Sequence, residues 1–365
     1  MDFALSQDQR LMQASLEAAL ARLSPLERVR AFADGDGAVA RDVWAGLTKL
    51  GVAGIMIPQE HGGLGLTLLD AALAAEAFGR HVAPTPFMGA AVLAPLALMG
   101  AGSREQRAAW LPRLAAGEAL AGVAIGEAVS GARDGAGVTA RGGRLHGASL
   151  FVIDAAEANM FIVADTAGGL NLVAADAPGL TRTALTTIDR SRQLSELRFE
   201  ATPAEPLADG DAKATLIRLR DATWILFAAD MLGASGAMLD KAVAYAQERR
   251  QFGRLIGSFQ AIKHLCAEMA AELEPCRALV WYAAHAFDAS PGEASLMAAH
   301  AKAHLSEVSR FVARTATEVH GGVGFTDLLG LHYWFKRVGL DRQMLGGPER
   351  VRHLAAVMQG LAPAE

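Results

Sequence analysis

The sequence predicts an α+β protein, with a small β-barrel or sandwich set between two helical regions. Residues 1–118 and 208–365 are long apolar stretches punctuated by helix caps and stops, whereas 119–207 break into short β-branched or alternating runs separated by Gly, Asp and Pro. No repeat at a solenoid period interrupts the order of helices, strands, helices. Three domains are therefore expected over 1–118, 119–207 and 208–365.

Each element has a local reason. Ser6 is placed to cap a first helix through LMQASLEAALARL, its hydroxyl accepting from a free N–H of the first turn. VARDVWAGLTKLG gives a second helix stopped at Gly51, and the glycines and proline of IPQEHGGLGL (57–66) make a loop. LLDAALAAEAFGRH is a strongly apolar helix, and SREQRAAWLPRLAAG (103–117) a capped one. LAGVAIGE, RLHGASLFVI, MFIVADT, LNLVAADA and SELRFEA supply the strands, with TTIDRSR (186–192) before the last. A very long helix then runs from ATLIRLR to QERRQFG, where Gly233 and Gly236 predict close helix packing. Two more long helices follow, the second ended by Gly321 and Gly322.

Composition bounds the function. The chain has 365 residues, 52% hydrophobic and 20% charged, which is enough for a large globular core. A net charge of −5 gives no broad basic face, so nucleic acid is not expected as a partner. Cys266 and Cys276 form neither a disulfide framework nor metal-ligand spacing, which fits a reducing cytoplasm. MDFALSQDQRLMQ lacks a signal-peptide core, and the apolar run 90–102 is too short and broken to span a bilayer, so a cytoplasmic protein is expected.

Two motifs stand out. In RRQFG, Arg249 and Phe252 are three apart and are expected to share a helix face, a donor fork for phosphate beside a flat surface for a ring. In isolation this pattern is more often solvated arginines and a core phenylalanine. HGGVGFT (320–326) offers paired glycines that let a ligand approach the backbone, although alone they read as an ordinary helix stop. His320 reads as a helix-end residue and Asp189 as a turn residue. Neither GxGxxG after a strand nor GxxxxGK[ST] is present, and no metal site is expected.

Together IPQEHGGLGL, AFGR, WLPRLAAGE, LHGASLFVIDAAEANMFIVA, YAQERRQFGRLIGSFQAIKHLCAEMA and VHGGVGFT resemble the acyl-CoA dehydrogenase family over nearly the whole chain. The resemblance implies an N-terminal helical domain, a middle β domain and a C-terminal four-helix bundle. It also implies FAD, an acyl-CoA substrate dehydrogenated at its α and β carbons, an electron-transfer flavoprotein or similar acceptor, and an oligomer with FAD at subunit interfaces. Arg249, Gln251, Phe252, Gln260, Glu318, Gly321 and Gly322 match positions that serve a neighbouring subunit's FAD. Glu318 stands where the family has Gln, and an acid near phosphate is unfavourable unless it faces a donor.

The half that would serve the chain's own flavin departs from the family pattern. Where the family reads Thr-Glu-Pro, this chain has IGEAVSGA (125–132), so Gly126 offers no hydroxyl. Where the family reads Trp-Ile-Thr/Ser, it has Phe151, Val152 and Ile153; Phe151 retains a stacking ring and Ile153 no donor. The usual base position in MLGGPER is Gly346, and the alternative position on the long helix is Thr223, with Trp224 next to it. Asp221 lies about 200° around the helix from Thr223, and Glu349 lies three residues beyond Gly346. General-base catalysis contributes roughly 10²–10⁴-fold, and glycine supplies none of it.

Three readings follow. In the first, the chain is the short, base-lacking subunit of a heteromer of the type acting on sterol or bile-acid side chains. In the second, it is a self-sufficient homotetramer whose base is Asp221 or Glu349. In the third, it is a flavin monooxygenase-like or nitroalkane-oxidising relative, or a non-enzymatic subunit.

Overall fold

The computed structural model describes residues 4–131 and 133–363. In chain order the first helices are α1 (Gln7–Leu23), α2 (Leu26–Ala33), α3 (Ala38–Thr48), α4 (Leu68–Arg80), α5 (Ala94–Ala101) and α6 (Arg104–Ala115). The middle elements are β1 (Ala121–Ala124), α7 (Gly126–Ser130), β2 (Gly137–Arg141), β3 (Arg144–Ile153), β4 (Met160–Ala164), β5 (Leu170–Ala174), β6 (Leu180–Leu185), β7 (Leu194–Pro203) and β8 (Glu205–Pro206). Then come α8 (Ala212–Glu248), β9 (Arg250–Gln251), β10 (Arg254–Leu255), α9 (Gln260–Ala289), α10 (Pro291–His320), α11 (Leu331–Gln343) and α12 (Pro348–Met358).

The expected caps form. Ser6 and Ser103 each accept from the backbone N–H three residues on, and Gln9 and Gln106 each close the reciprocal bond, so two otherwise unpaired N–H groups are satisfied at each helix start. The apolar run 90–102 is buried core, a π-helical stretch Met88–Leu93 leading into α5. Helix α8 is long and apolar enough to cross a membrane, but 89% of its most apolar window is buried inside the protein. The helix stops at Glu248, so Arg249 and Phe252 share no helix face. Phe252 instead sits in the β9–β10 turn at φ +52°, followed by Gly253 at φ +78°.

By packing, the chain divides into two compact units. One comprises residues up to Asp34, Ala72–Ala83 and Trp224 onward. Here α10 packs against α9, α11 and α12. A Cβ on Gly233 of α8 would overlap the carbonyl oxygen of Glu76 in α4, so the expected close approach is real at that residue. Arg337 of α11 makes a paired contact with Asp230 of α8 at 2.9 Å, both side chains at most 2% exposed. The guanidinium also donates to the Ala83 carbonyl.

The other unit, Gly35–Ala71 and Pro84–Thr223, holds one eight-stranded mixed sheet ordered β6-β7-β3-β1-β4-β5-β8, with β2 paired to β3. Among the described residues only β1 and β4 pair in parallel. Val138, Leu145, Val152, Phe161, Val173, Leu197 and Phe199 fill its core. The β3–β7 register shifts between Ser149 and Val152, and Phe151 lies in that bulge at φ +53°. A bulge bends the strand and re-aims a side chain, which here belongs to a candidate site residue.

Candidate functional site

The first constellation gathers at the end of α8. The last turn closes with the Arg249 N–H donating to the Tyr245 carbonyl, and the chain reverses through the β9–β10 hairpin until Ile256 N–H donates to Arg249 O at 2.8 Å. The reversal thrusts Phe252 outward, 91% exposed. Phe259 supports its ring edge-on at 6.1 Å, and the Arg254 guanidinium lies 3.9 Å over Phe259. Arg249 is exposed and makes no ion pair among the described residues. The Gln251 amide donates to Arg250 O, and Gln260, first residue of α9, meets His264 at 2.8 Å.

The second donor element is the end of α10. Gly321 takes φ +61°, and a Cβ added at Gly321 or Gly322 would meet nothing within 4 Å, so the backbone there is open to a ligand. Glu318 is exposed one turn earlier. His320 stacks on Tyr245 at 4.7 Å and 27°, which ties the α10 end to the α8 end. Burial lowers the His320 pKa below its ordinary value, and its Nδ1 lies 2.7 Å from the Ala316 carbonyl, so the ring is a neutral stacking partner. This pair escaped sequence reasoning, although Tyr245 lies one turn before Arg249 and so on the same side of α8. Burial likewise keeps His320 from acting as an exposed base.

The constellation on the sheet is different. Gly126 opens the five-residue α7, and Glu127 turns back to accept from Ser149 Oγ at 2.6 Å and Leu150 N at 2.7 Å. The carboxylate is thus occupied in holding α7 to the β3 bulge. Phe151 leaves that bulge half-buried, with the Arg133 guanidinium 5.2 Å over its ring. Ile153 is 3% exposed and packed in the core, so it presents no polar group. Ala132, at the end of IGEAVSGA, lies outside the described residues. Asp189 accepts from Ser191 N and Oγ, as a turn residue does.

Around the two base positions the side chains are otherwise engaged. Thr223 is fully buried and donates to Leu219 O at 2.6 Å. Asp221 is 2% exposed and ion-paired with Arg220 at 2.7 Å. Leu345 stands at φ +52° and Gly346 at φ +101°. The Trp224 indole, wholly buried, donates to Leu345 O at 3.0 Å and pins this turn. Any side chain at Gly346 would be strained by that φ whatever the space around it. Glu349 is exposed on the first turn of α12; its own backbone N–H holds its carboxyl below the usual range, with Arg342 at 3.2 Å adding to the effect. A carboxylate so stabilised is a weaker base.

Two family descriptions match the chain: acyl-CoA dehydrogenase, N-terminal domain, over residues 6–118, and acyl-CoA dehydrogenase, C-terminal domain, over residues 222–361. Acyl-CoA dehydrogenase IpdE2 of Mycolicibacterium smegmatis is 31% identical over 354 residues, 96% of this chain and 99% of the relative. Among solved structures, the ChsE4-ChsE5 complex from Mycobacterium tuberculosis superposes with a TM-score of 0.91 at 25% identity over the full length of both chains. A variant of the Tcur3481-Tcur3483 steroid ACAD gives 0.87 at 28% identity, covering 97% of this chain and 98% of that one. The chain belongs to the acyl-CoA dehydrogenase family. That family consists of oxidoreductases acting on acyl-CoA, with FAD as the usual cofactor.

Proposed function

We propose that this chain is the base-lacking subunit of a heteromeric, FAD-dependent acyl-CoA dehydrogenase, and that its end-of-α8 and end-of-α10 surface completes the FAD site of a partner dehydrogenase subunit. The backbone at the usual base position carries the proposal: at Gly346, φ is +101°, a conformation that disfavours any carboxylate-bearing residue. Thr223 at the alternative position has no carboxyl group.

The donor surface fits a flavin dinucleotide. Arg249 supplies a guanidinium unpaired among the described residues for phosphate, Phe252 a flat exposed face, and Gly321 and Gly322 a stretch of backbone that a ligand can approach closely. Gln251 and Gln260 add amide donors, and Glu318 is the one acid to be accommodated, beside a donor. FAD, when bound, accepts the hydride from the β-carbon of the acyl thioester. The receiving half fits poorly: Gly126 lacks a hydroxyl, Ile153 has no donor, and Arg133 covers one face of Phe151. The partner is therefore assigned the base and most of the flavin-ring pocket.

The substrate class assigned is a sterol-type side-chain acyl-CoA, by similarity to the steroid ACAD, with an electron-transfer flavoprotein or similar protein as acceptor. In this reading residues 1–118, 119–207 and 208–365 keep their roles as helical, β and donor-bearing helical domains of a cytoplasmic enzyme. The test is to purify the chain alone and with a partner dehydrogenase, measuring flavin content, oligomeric mass and acyl-CoA oxidation. Colourless chain that gains FAD and activity only with the partner is expected. One tightly bound FAD per chain with full activity alone overturns the proposal.

A further inference from the structure

The glycine loop after α10 has almost no side chain of its own to hold it. Between Gly321 and Gly330 the buried residues are Gly324 and Gly330, which carry no side chain, while Phe325 and Leu328 are 79% and 76% exposed. Its internal bonds are short-range. The Thr326 N–H and hydroxyl both donate to the Val323 carbonyl, and the Gly330 N–H donates to the Asp327 carbonyl. Turn bonds of that kind, exchanged against water, do not offset the entropy of ordering such a segment.

The missing anchor comes from α2. Arg30 donates through one Nη to two successive loop carbonyls, those of Asp327 and Leu328, the second at 3.1 Å. Its Nε lies 3.6 Å from the Asp327 carboxylate. One turn earlier on the same face of α2, Leu26 packs against Gly330. Gly330 has φ +62°, and a Cβ there would stand 2.7 Å from a Leu26 methyl, so glycine is what lets the loop lie down on this helix. His332 lies 3.6 Å from the same Asp327 carboxylate, but burial and Lys336 lower its pKa, so the ring is neutral at pH 7 and Arg30 is the cation facing that carboxylate. Because the fork grips main-chain oxygens, it fixes the path of the loop and not merely a side chain. The short 3₁₀ turn Gly321–Phe325 links the gripped carbonyls to the glycine pair.

We infer that Arg30 is the positioning residue for Gly321 and Gly322, holding their loop against α2 in the shape that meets a partner subunit's FAD. This role rests on the proposed donation of that surface to the partner, and it adds that an N-terminal helix sets how tightly the cofactor is held without touching it. A site ordered in only a fraction of molecules binds more weakly by that fraction.

The test uses the chain alone and the assembled enzyme. In Arg30→Met, amide hydrogen exchange over 321–330 of the lone chain is expected to approach that of an unstructured peptide, with the helical circular dichroism unchanged. If the ordered loop falls to about a tenth of molecules, the apparent FAD affinity of the complex falls about tenfold, while turnover at saturating FAD is unchanged. Arg30→Lys, a point charge in place of a fork, should restore part of both. Asp327→Asn leaves both gripped carbonyls in place and should change neither by more than about twofold. Unchanged exchange in Arg30→Met overturns the role of Arg30 and leaves the donor surface standing. Faster exchange with unchanged FAD affinity does the same, provided that Arg249→Ala lowers that affinity. Lost helical structure, or lost turnover at saturating FAD, assigns Arg30 to the fold instead and also overturns it. Unchanged affinity in both Arg30→Met and Arg249→Ala removes the donor surface itself, and the role of Arg30 with it.

Discussion

Two faces of this chain meet the same type of ligand on paper and are built in opposite ways. The surface at the ends of α8 and α10 projects its groups outward: Phe252 is 91% exposed, Arg249 is unpaired among the described residues, and the paired glycines are open to solvent. On the sheet and in the MLGGP turn, the corresponding groups are directed inward. Glu127 holds its own strand, Ile153 is in the core, Thr223 bonds its own helix, and Trp224 pins the turn at Leu345. An exposed aromatic at φ +52° carries a conformational cost, and it persists only where the surroundings impose it. The contrast separates groups projected into solvent from groups engaged by their own surroundings.

The comparison breaks most readily at the donor surface. Replacing Arg249 with Ala is expected to reduce FAD retention by the assembled enzyme by about 10–100-fold, the scale of a lost charge-assisted contact of about 1.5–3 kcal/mol, and Phe252→Ala by up to about tenfold, the scale of a lost ring contact. Equilibrium dialysis of the complex measures it, and unchanged flavin content would place the ligand elsewhere.

The scaffold under that surface gives the next effect. Lys302 of α10 is fully buried and donates to the Asp341 carbonyl; burial pushes its pKa down to about 7, with Asp341 opposing and Arg342 reinforcing the shift. The unfolded chain therefore binds the extra proton between about pH 7 and the ordinary lysine value of about 10.4. Stability is expected to rise with pH across that window, by an amount on the order of a few kcal/mol, and to be level below about pH 7 and above the ordinary lysine value. Urea midpoints at pH 7 and 10 report it, and Lys302→Met should flatten the dependence.

A smaller effect sharpens the other side. Gly346→Glu restores a carboxyl group to the usual position, yet it is expected to cost about 1–3 kcal/mol of stability through its backbone angle and to leave the lone chain inactive. Activity from that single change would show that the turn can receive a base. The smallest effects belong to the displaced candidates. With turnover measured per folded enzyme, Asp221→Asn and Glu349→Gln should each stay within about twofold, where loss of a true base costs roughly 10²–10⁴. A loss of that size at either residue would favour the self-sufficient enzyme.

Much of this was legible in the residues. Ser6 and Ser103 announce their helices because a hydroxyl followed three residues later by glutamine satisfies both ends of a capping box. Gly233 reports a close helix approach because no other residue avoids the Glu76 carbonyl. The order of helices, strands, helices follows from hydrophobic period alone. Other features depend on partners distant in sequence. Helical periodicity runs on through QERRQFG, and only pairing of Arg250–Gln251 with Arg254–Leu255 ends the helix at Glu248. The bulge that turns out Phe151 depends on the β3–β7 register, and the separate α2 is interrupted by no strong breaker before it other than Pro25. At the site, the residue types at Gly126, Ile153 and Gly346 told that side-chain chemistry was missing. The turn geometry at Gly346 and its tether to Trp224 required coordinates.

That tether bears on which substitutions the turn can accept. The missing carboxylate alone is one residue substitution away. The backbone of the turn is not. With Leu345 and Gly346 both at positive φ and the Leu345 carbonyl fastened to a buried indole, a side chain introduced at Gly346 would enter a turn whose backbone strains it. A base at this position then requires the glutamate and a remodelled neighbour together. The indole thus acts as a latch that holds the turn in a shape unfavourable to a carboxylate-bearing residue at Gly346.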